Sequence, residues 1–206
     1  MKTLMKTFVL GVIAALAIAT GAQAVEVAGL KIDDTAQVGN TTLKLNGAGI
    51  RTKFVVVKVY VGALYLTENK TTTEAVLALA GPKKVNLTML REISSDSFAQ
   101  SFMDGVKRNT DKVERAKLTD QFIKFGELFA TVEALKKGDM ISIEWVPGTG
   151  PGDAGGSNMY VNGKKVGDTF KDIAFFNAIL RIWLGDNPVD SSLKTKMLGG
   201  GDTAKH

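Results

Sequence analysis

Strict alternation of apolar and polar positions marks several segments of the chain as strands, and a three-to-four residue recurrence marks others as helices. From Val25 to Asn46 the pattern reads as short strands separated by polar turns, with Gly39-Asn40 turning into Thr41–Leu45. Asn46-Gly47-Ala48-Gly49-Ile50-Arg51 reads as a small-residue corner. The strongest strand signal follows at Phe54–Leu66. Its odd positions, Val55 through Ala63, are wholly apolar, whereas the even ones carry Lys58 and Tyr60, so one face is expected to be core and the other apolar with two polar handles.

Thr71–Glu74 opens a short helix running to Ala80, stopped by Gly81-Pro82. Lys83–Arg91 reads as a strand. Ser95-Asp96 starts a helix with Phe98, Phe102 and Val106 on one face, and a longer helix from about Ala116 to Lys137 repeats Leu118, Phe122, Phe125, Phe129 and Val132. Asp139–Val146 alternates as a strand. Beyond a glycine-rich loop, Asn158–Val161 and Lys164–Val166 flank Asn162-Gly163, a pair suited to a type I′ hairpin turn. A buried helix is expected from Thr169 to Leu184, and Asp190-Ser191-Ser192 begins a last short one. Strands, helices, strands, helices: the order predicts an α+β domain, an antiparallel sheet with helices on one side.

The N-terminus changes the picture of where this domain works. Lys2 and Lys6 precede an apolar stretch from Phe8 to about Ile18, and Ala22-Gln23-Ala24 has the small-x-small form a signal peptidase accepts. Residues 1–24 are therefore expected to be a secretory signal peptide of bacterial style, residues 25–198 the working domain and residues 199–206 a disordered tail, with a periplasmic or secreted product. Nothing after Val25 is long and apolar enough for a transmembrane segment, which takes roughly 20 residues. Loss of the leader lowers the formal charge from +5 to +3. Scattered lysines and arginines, with no basic run interleaved with aromatics, give no nucleic-acid footprint.

Chemistry is limited by what the chain lacks. It has no cysteine, and its one histidine is His206, the last residue. A Ser-His-Asp triad, a Cys-His nucleophile and the usual zinc sites are excluded, and no metal or other cofactor is expected. Gly150-Pro151-Gly152-Asp153-Ala154-Gly155 has G-x-G-x-x-G spacing, but a hairpin follows it where a dinucleotide site needs a helix N-terminus. Arg51, behind a Gly-Ala-Gly corner at the mouth of the main strand, could present its guanidinium to a carboxylate or enolate; a surface or salt-bridged arginine is the competing reading. Tyr60 and Lys58 share a strand face toward the same space, against the alternative of a tyrosine whose hydroxyl is satisfied by backbone.

Asn46–Arg51 followed by Phe54–Leu66 resembles the signature of the chalcone isomerase superfamily, in particular its bacterial chalcone isomerase-like branch, and the later helices with Gly185-Asp186 and Pro188-Val189-Asp190 extend the resemblance from about Leu43 to Leu198. It implies an open-faced β-sandwich, a large antiparallel sheet covered by helices, with a ligand cleft between. In catalytic members an arginine after the corner binds substrate, matched here by Arg51. A strand threonine falls on Tyr60, after a turn a few residues shorter here, and by ungapped pairing a helical tyrosine and asparagine fall on Phe98 and Gly105 and a late-helix threonine or serine on about Ile182. On that pairing the cleft has lost most of its hydrogen-bonding array and kept its anion-binding arginine. The pattern is similar to the non-catalytic, fatty-acid-binding branch, in which an arginine and a strand tyrosine hold the carboxylate. The expectation is thus a binder of a fatty acid or similar amphiphile: Arg51 as charge partner, Tyr60 as donor, Lys58 beside them, and Phe98, Phe102, Ile182 and Trp183 as the apolar wall. The alternatives are an intramolecular lyase or isomerase acting on an enone through Arg51 with Tyr60 or Lys58, and a structural protein that keeps only the scaffold.

Overall fold

The computed structural model describes residues 24–130 and 134–200. Residues 1–23 of the expected leader, Val132, and residues 201–206 of the expected tail, including His206, lie outside the described residues. The elements in order are β1 (Val25–Val27), β2 (Leu30–Ile32), β3 (Thr35–Val38), β4 (Thr41–Lys53), β5 (Val57–Leu66), α1 (Thr73–Ala78), β6 (Lys83–Met89), α2 (Ser95–Arg108), α3 (Lys112–Ala130), β7 (Met140–Val146), β8 (Gly156–Val161), β9 (Lys164–Phe170), α4 (Ile173–Leu184) and α5 (Ser191–Met197). Strands β3 to β9 form one antiparallel sheet in chain order, and β1 pairs with β2 apart from it. The fold is the expected α+β arrangement of a large antiparallel sheet covered by helices.

The main core lies between the sheet and the helices. Val85, Leu87 and Met89 of β6 and Ile141, Ile143 and Trp145 of β7 project into it by strand alternation. From the other side come phenylalanines of α2, α3 and α4: Phe102 stacks on Phe125 at 4.7 Å, and Phe125 meets Phe175 edge-on at 5.7 Å. Each fully buried ring of this kind stabilises by about 1.5–3 kcal/mol. On the opposite face the small β1–β2 hairpin covers a second cluster of Val61, Ala63 and Tyr65 with Ile32, Val38 and Leu43. Further along that face the surface is polar, with Tyr160 donating to Glu144 at 2.8 Å and Lys84 paired with the same carboxylate at 3.4 Å.

Several boundaries differ from the sequence pattern, each for a local reason. Asn46–Arg51 is no corner: it lies inside β4, and the turn comes at Phe54–Val56, where Phe54 and Val55 adopt left-handed φ of 52° and 67°. β5 accordingly starts at Val57. A bulge where Arg51 pairs with Tyr60 but Thr52 with Lys58 inserts Val59 as an extra residue, so the faces of β5 do not alternate through it. Both faces of β5 are core beyond that point, not one.

The long helix runs Lys112–Ala130 rather than Ala116–Lys137. Asp111 caps it by accepting from Glu114 N–H at 2.8 Å, and Leu135 is already extended, exchanging backbone hydrogen bonds with Ile93. α4 begins at Ile173 rather than Thr169, because Thr169 and Phe170 complete β9 and Asp172 provides the cap, accepting from Ala174 at 2.8 Å. α2 is capped by Ser94.

The glycines of the supposed corner have a different use. A Cβ on Gly47 would lie 2.0 Å from the Lys196 carbonyl oxygen, and one on Gly49 would lie 2.7 Å from the Lys196 Cβ, so both are bare to let α5 dock on β4. Asn46 locks that contact: buried, it donates to the carbonyls of Lys70 and Met197 at 2.9 and 2.7 Å and accepts from Lys70 N–H at 2.7 Å.

Candidate functional site

A cavity of about 400 Å³ opens between the β4–β5 hairpin, the start of α2 and the end of α4. Arg51 and Tyr60 face each other across the β4–β5 ladder at its inner end. The bulge beside them turns Tyr60 into the helix-side core, where it is 4% exposed. The Trp183 indole on α4 donates to the Tyr60 hydroxyl at 2.8 Å. That contact uses the oxygen and leaves the phenol's own hydrogen without an acceptor among the described residues. Burial pushes the Tyr60 pKa up to about 12; Arg51 and the indole pull it down, and Asp190 adds to the rise. The phenol is therefore a neutral donor at any ordinary pH.

Arg51 is half-buried, with its guanidinium carbon 5.5 Å above the Tyr60 ring. Its Nε is fully buried and has no hydrogen-bond partner. A buried donor of this sort costs about 1–3 kcal/mol when left unpaired. The guanidinium and the phenol thus stand at the end of a mainly apolar cavity that both residues line. An acceptor-only anion such as a carboxylate suits a guanidinium and a neutral phenol there.

Phe98, Phe102, Ile182 and Trp183 all line this cavity. Lys58 does not. It is exposed and absent from the lining, because the bulge at Val59 breaks the face it was expected to share with Tyr60. Gly105, the position paired with the family asparagine, is also away from the lining: it lies beneath Ile182, whose Cγ2 would be 2.8 Å from any added Cβ.

Other polar groups were not anticipated. Ser97 and Ser101 stand one turn apart on the cavity side of α2, and Ser94, Arg91 and Glu92 lie just before that helix. The wall therefore carries hydroxyls that the one-to-one pairing with Phe98 and Gly105 does not reveal. The helical spacing of Ser97 and Ser101 beside Phe98 and Phe102 was the signal available for them.

The G-x-G-x-x-G loop binds itself. The Asp153 carboxylate accepts from the N–H groups of Thr149 at 2.9 Å and Gly155 at 3.0 Å, and β8 follows where a dinucleotide site would need a helix. Among the described residues no group of three or more His, Cys, Asp or Glu side chains is placed to hold a metal ion, and no helix is long and apolar enough to cross a membrane.

A protein-family model described as chalcone isomerase-like matches residues 24–199. Among solved structures, the crystal structure of a fatty-acid binding protein from Arabidopsis thaliana superposes with a TM-score of 0.64 at 16% identity, over 85% of this chain and 96% of that one. At that identity the likeness is one of fold. No curated protein matches the chain.

Proposed function

Since the chain belongs to the chalcone isomerase-like family, we propose that it is a non-catalytic member that binds a fatty acid or a similar amphiphilic carboxylate in the cavity between sheet and helices. The observation that carries this reading is Arg51 and Tyr60, a guanidinium over a neutral phenol, in the lining of one cavity with apolar walls beyond. A cavity that is mostly apolar and has a few convergent donors is the usual form of a small-molecule site. The fatty-acid binding described for the Arabidopsis neighbour agrees with this reading. An isomerase reading has less behind it, because a phenol held protonated to about pH 12 is a poor proton shuttle near neutrality.

The test is mass spectrometry of ligands extracted from the purified protein and from Arg51→Ala. Acyl carboxylates present in the first and depleted in the second are the expected result; a wild-type protein that carries only neutral lipids, or none after exposure to free fatty acids, sinks the reading. We further propose export to a periplasmic or extracellular compartment, on the strength of the leader pattern over residues 1–24. N-terminal sequencing of the protein recovered outside the cytoplasm should begin at Val25.

A further inference from the structure

At the mouth of the cavity the β4–β5 hairpin ends in Phe54-Val55-Val56, which are 78%, 92% and 78% exposed. Tight turns are built from glycine, asparagine and other small polar residues because those tolerate φ > 0. Here Phe54 and Val55 take left-handed φ of 52° and 67°, a conformation that is a steric outlier for a β-branched residue. Backbone held this way, with large apolar side chains directed into water, points to a function served by the side chains.

The surroundings indicate which function. Phe54 and Lys53 both line the cavity, so the tip and the opening are continuous. Lys53 lies over the Phe54 ring at 5.1 Å, Lys58 is exposed at the other end of the turn, and the exposed Arg91 also lines the cavity; Glu92 is the one acid in the lining. The other large exposed apolar residues among those described, Val25, Val113 and Ile123, lie on β1 and α3 and add nothing contiguous. A patch of three side chains is far short of the roughly 800 Å² per partner that a stable protein interface buries. It does match the size and composition of a wedge that enters the headgroup layer of a bilayer, with cations beside it for anionic lipid.

We propose that Phe54–Val56 inserts into an anionic lipid surface and so sets the cavity mouth against the headgroup layer. This deepens the amphiphile-binding reading and rests on it for its purpose, since a ligand dissolved in the bilayer would then enter without crossing water. Val55 and Val56 do not line the cavity, which allows docking and uptake to be separated.

The experiment is cosedimentation of residues 25–206, which contain the whole described fold, with vesicles of phosphatidylcholine alone and of phosphatidylcholine with phosphatidylglycerol. It is run beside V55D/V56D, with uptake of a fluorescent fatty acid in vesicle-free solution measured on both proteins. The expected result is binding to the anionic vesicles, weakened roughly tenfold or more in the variant, the order expected when two valines no longer leave water, with solution uptake retained. A wild type that does not sediment, a variant that sediments equally well, or a tip that instead drives self-association seen by light scattering overturns the proposal. Tip-dependent vesicle binding without fatty-acid uptake would leave the surface proposal standing and remove the ligand reading.

Discussion

Replacing Arg51 by methionine should move stability and affinity in different directions. The change removes the charge and the buried Nε–H and puts the methionine methyl at the ε position of the side chain on β4. In the unliganded protein, relief of the unpaired Nε is worth about 1–3 kcal/mol. Loss of the cation–π contact over Tyr60 costs about 0.5–1 kcal/mol. Relief wins or the two cancel, so the melting temperature should hold or rise, by about 2–4 °C for each kcal/mol gained in a domain of this size. Binding goes the other way. A hydrogen bond to a charged group contributes about 1.5–3 kcal/mol, and 1.4 kcal/mol is a factor of ten, so affinity for a fatty acid should fall roughly 10- to 150-fold. The fatty alcohol of the same chain length, which brings no charge, should lose little. Displacement titrations with acid and alcohol, beside thermal unfolding without ligand, make the comparison. Equal losses for acid and alcohol would refute the carboxylate geometry, and a sharp fall in melting temperature would show that Arg51 is there for the fold.

Three further outcomes are expected. Tyr60→Phe strands the buried Trp183 indole N–H and should cost about 1–3 kcal/mol in urea unfolding; Trp183→Phe, which also loses packing, should cost less in that background than in the wild type, and simple additivity of the two would show that the bond contributes nothing. Gly47→Ala places a methyl carbon 2.0 Å from the Lys196 carbonyl oxygen and should destabilise by about 1–3 kcal/mol through displacement of α5, read as a lower urea midpoint at unchanged slope. All three tyrosines, Tyr60, Tyr65 and Tyr160, are pushed up to about 12, mainly by burial. Near-ultraviolet phenolate absorbance of the folded protein should stay flat through pH 10, where the unfolded chain is half ionised. Because the folded state holds these protons longer, the tyrosines' share of stability is intact below pH 10 and is lost as pH rises through 12. Native phenolate growing in at pH 10 would contradict the burial described.

Where neighbours in sequence decide the structure, the pattern was readable. The Asn162-Gly163 turn has both residues at positive φ, 50° and 78°, as its hairpin requires, and Asp190 caps α5 by accepting from Leu193 N–H at 3.0 Å. The alternating residues of β6 and β7 face the core as read. Misreadings arose where apolarity was taken for burial. Phe54–Val56 extends an apolar run by three residues, and only the turn geometry shows that these side chains leave the protein. The bulge at Val59 has no composition signal, yet it separates Lys58 from Tyr60 and so redraws half of the expected polar pair. The Gly-Ala-Gly stretch was legible as special but not for the right reason, since the helix that needs the space lies some 150 positions downstream, at the far end of the 151-residue separation bridged by Asn46 and Met197. Arg51, Tyr60 and the aromatic wall came through the family resemblance, whereas Ser97 and Ser101 were hidden by a position-by-position pairing that looked only at Phe98 and Gly105.

Because β3 to β9 lie side by side in chain order, each strand can pair with the one made just before it, and the sheet can form progressively along the chain. The candidate site cannot follow that schedule. Arg51 and Tyr60 are in place early, but the indole that holds the phenol and the Asp190 carboxylate that accepts from Thr52 N–H at 2.8 Å arrive with the last two helices. A ligand in the cavity therefore stabilises the closing event of folding and leaves the earlier ones untouched. Amide exchange in α4 and α5 should slow when the cavity is filled, while exchange at the β8–β9 edge keeps its rate.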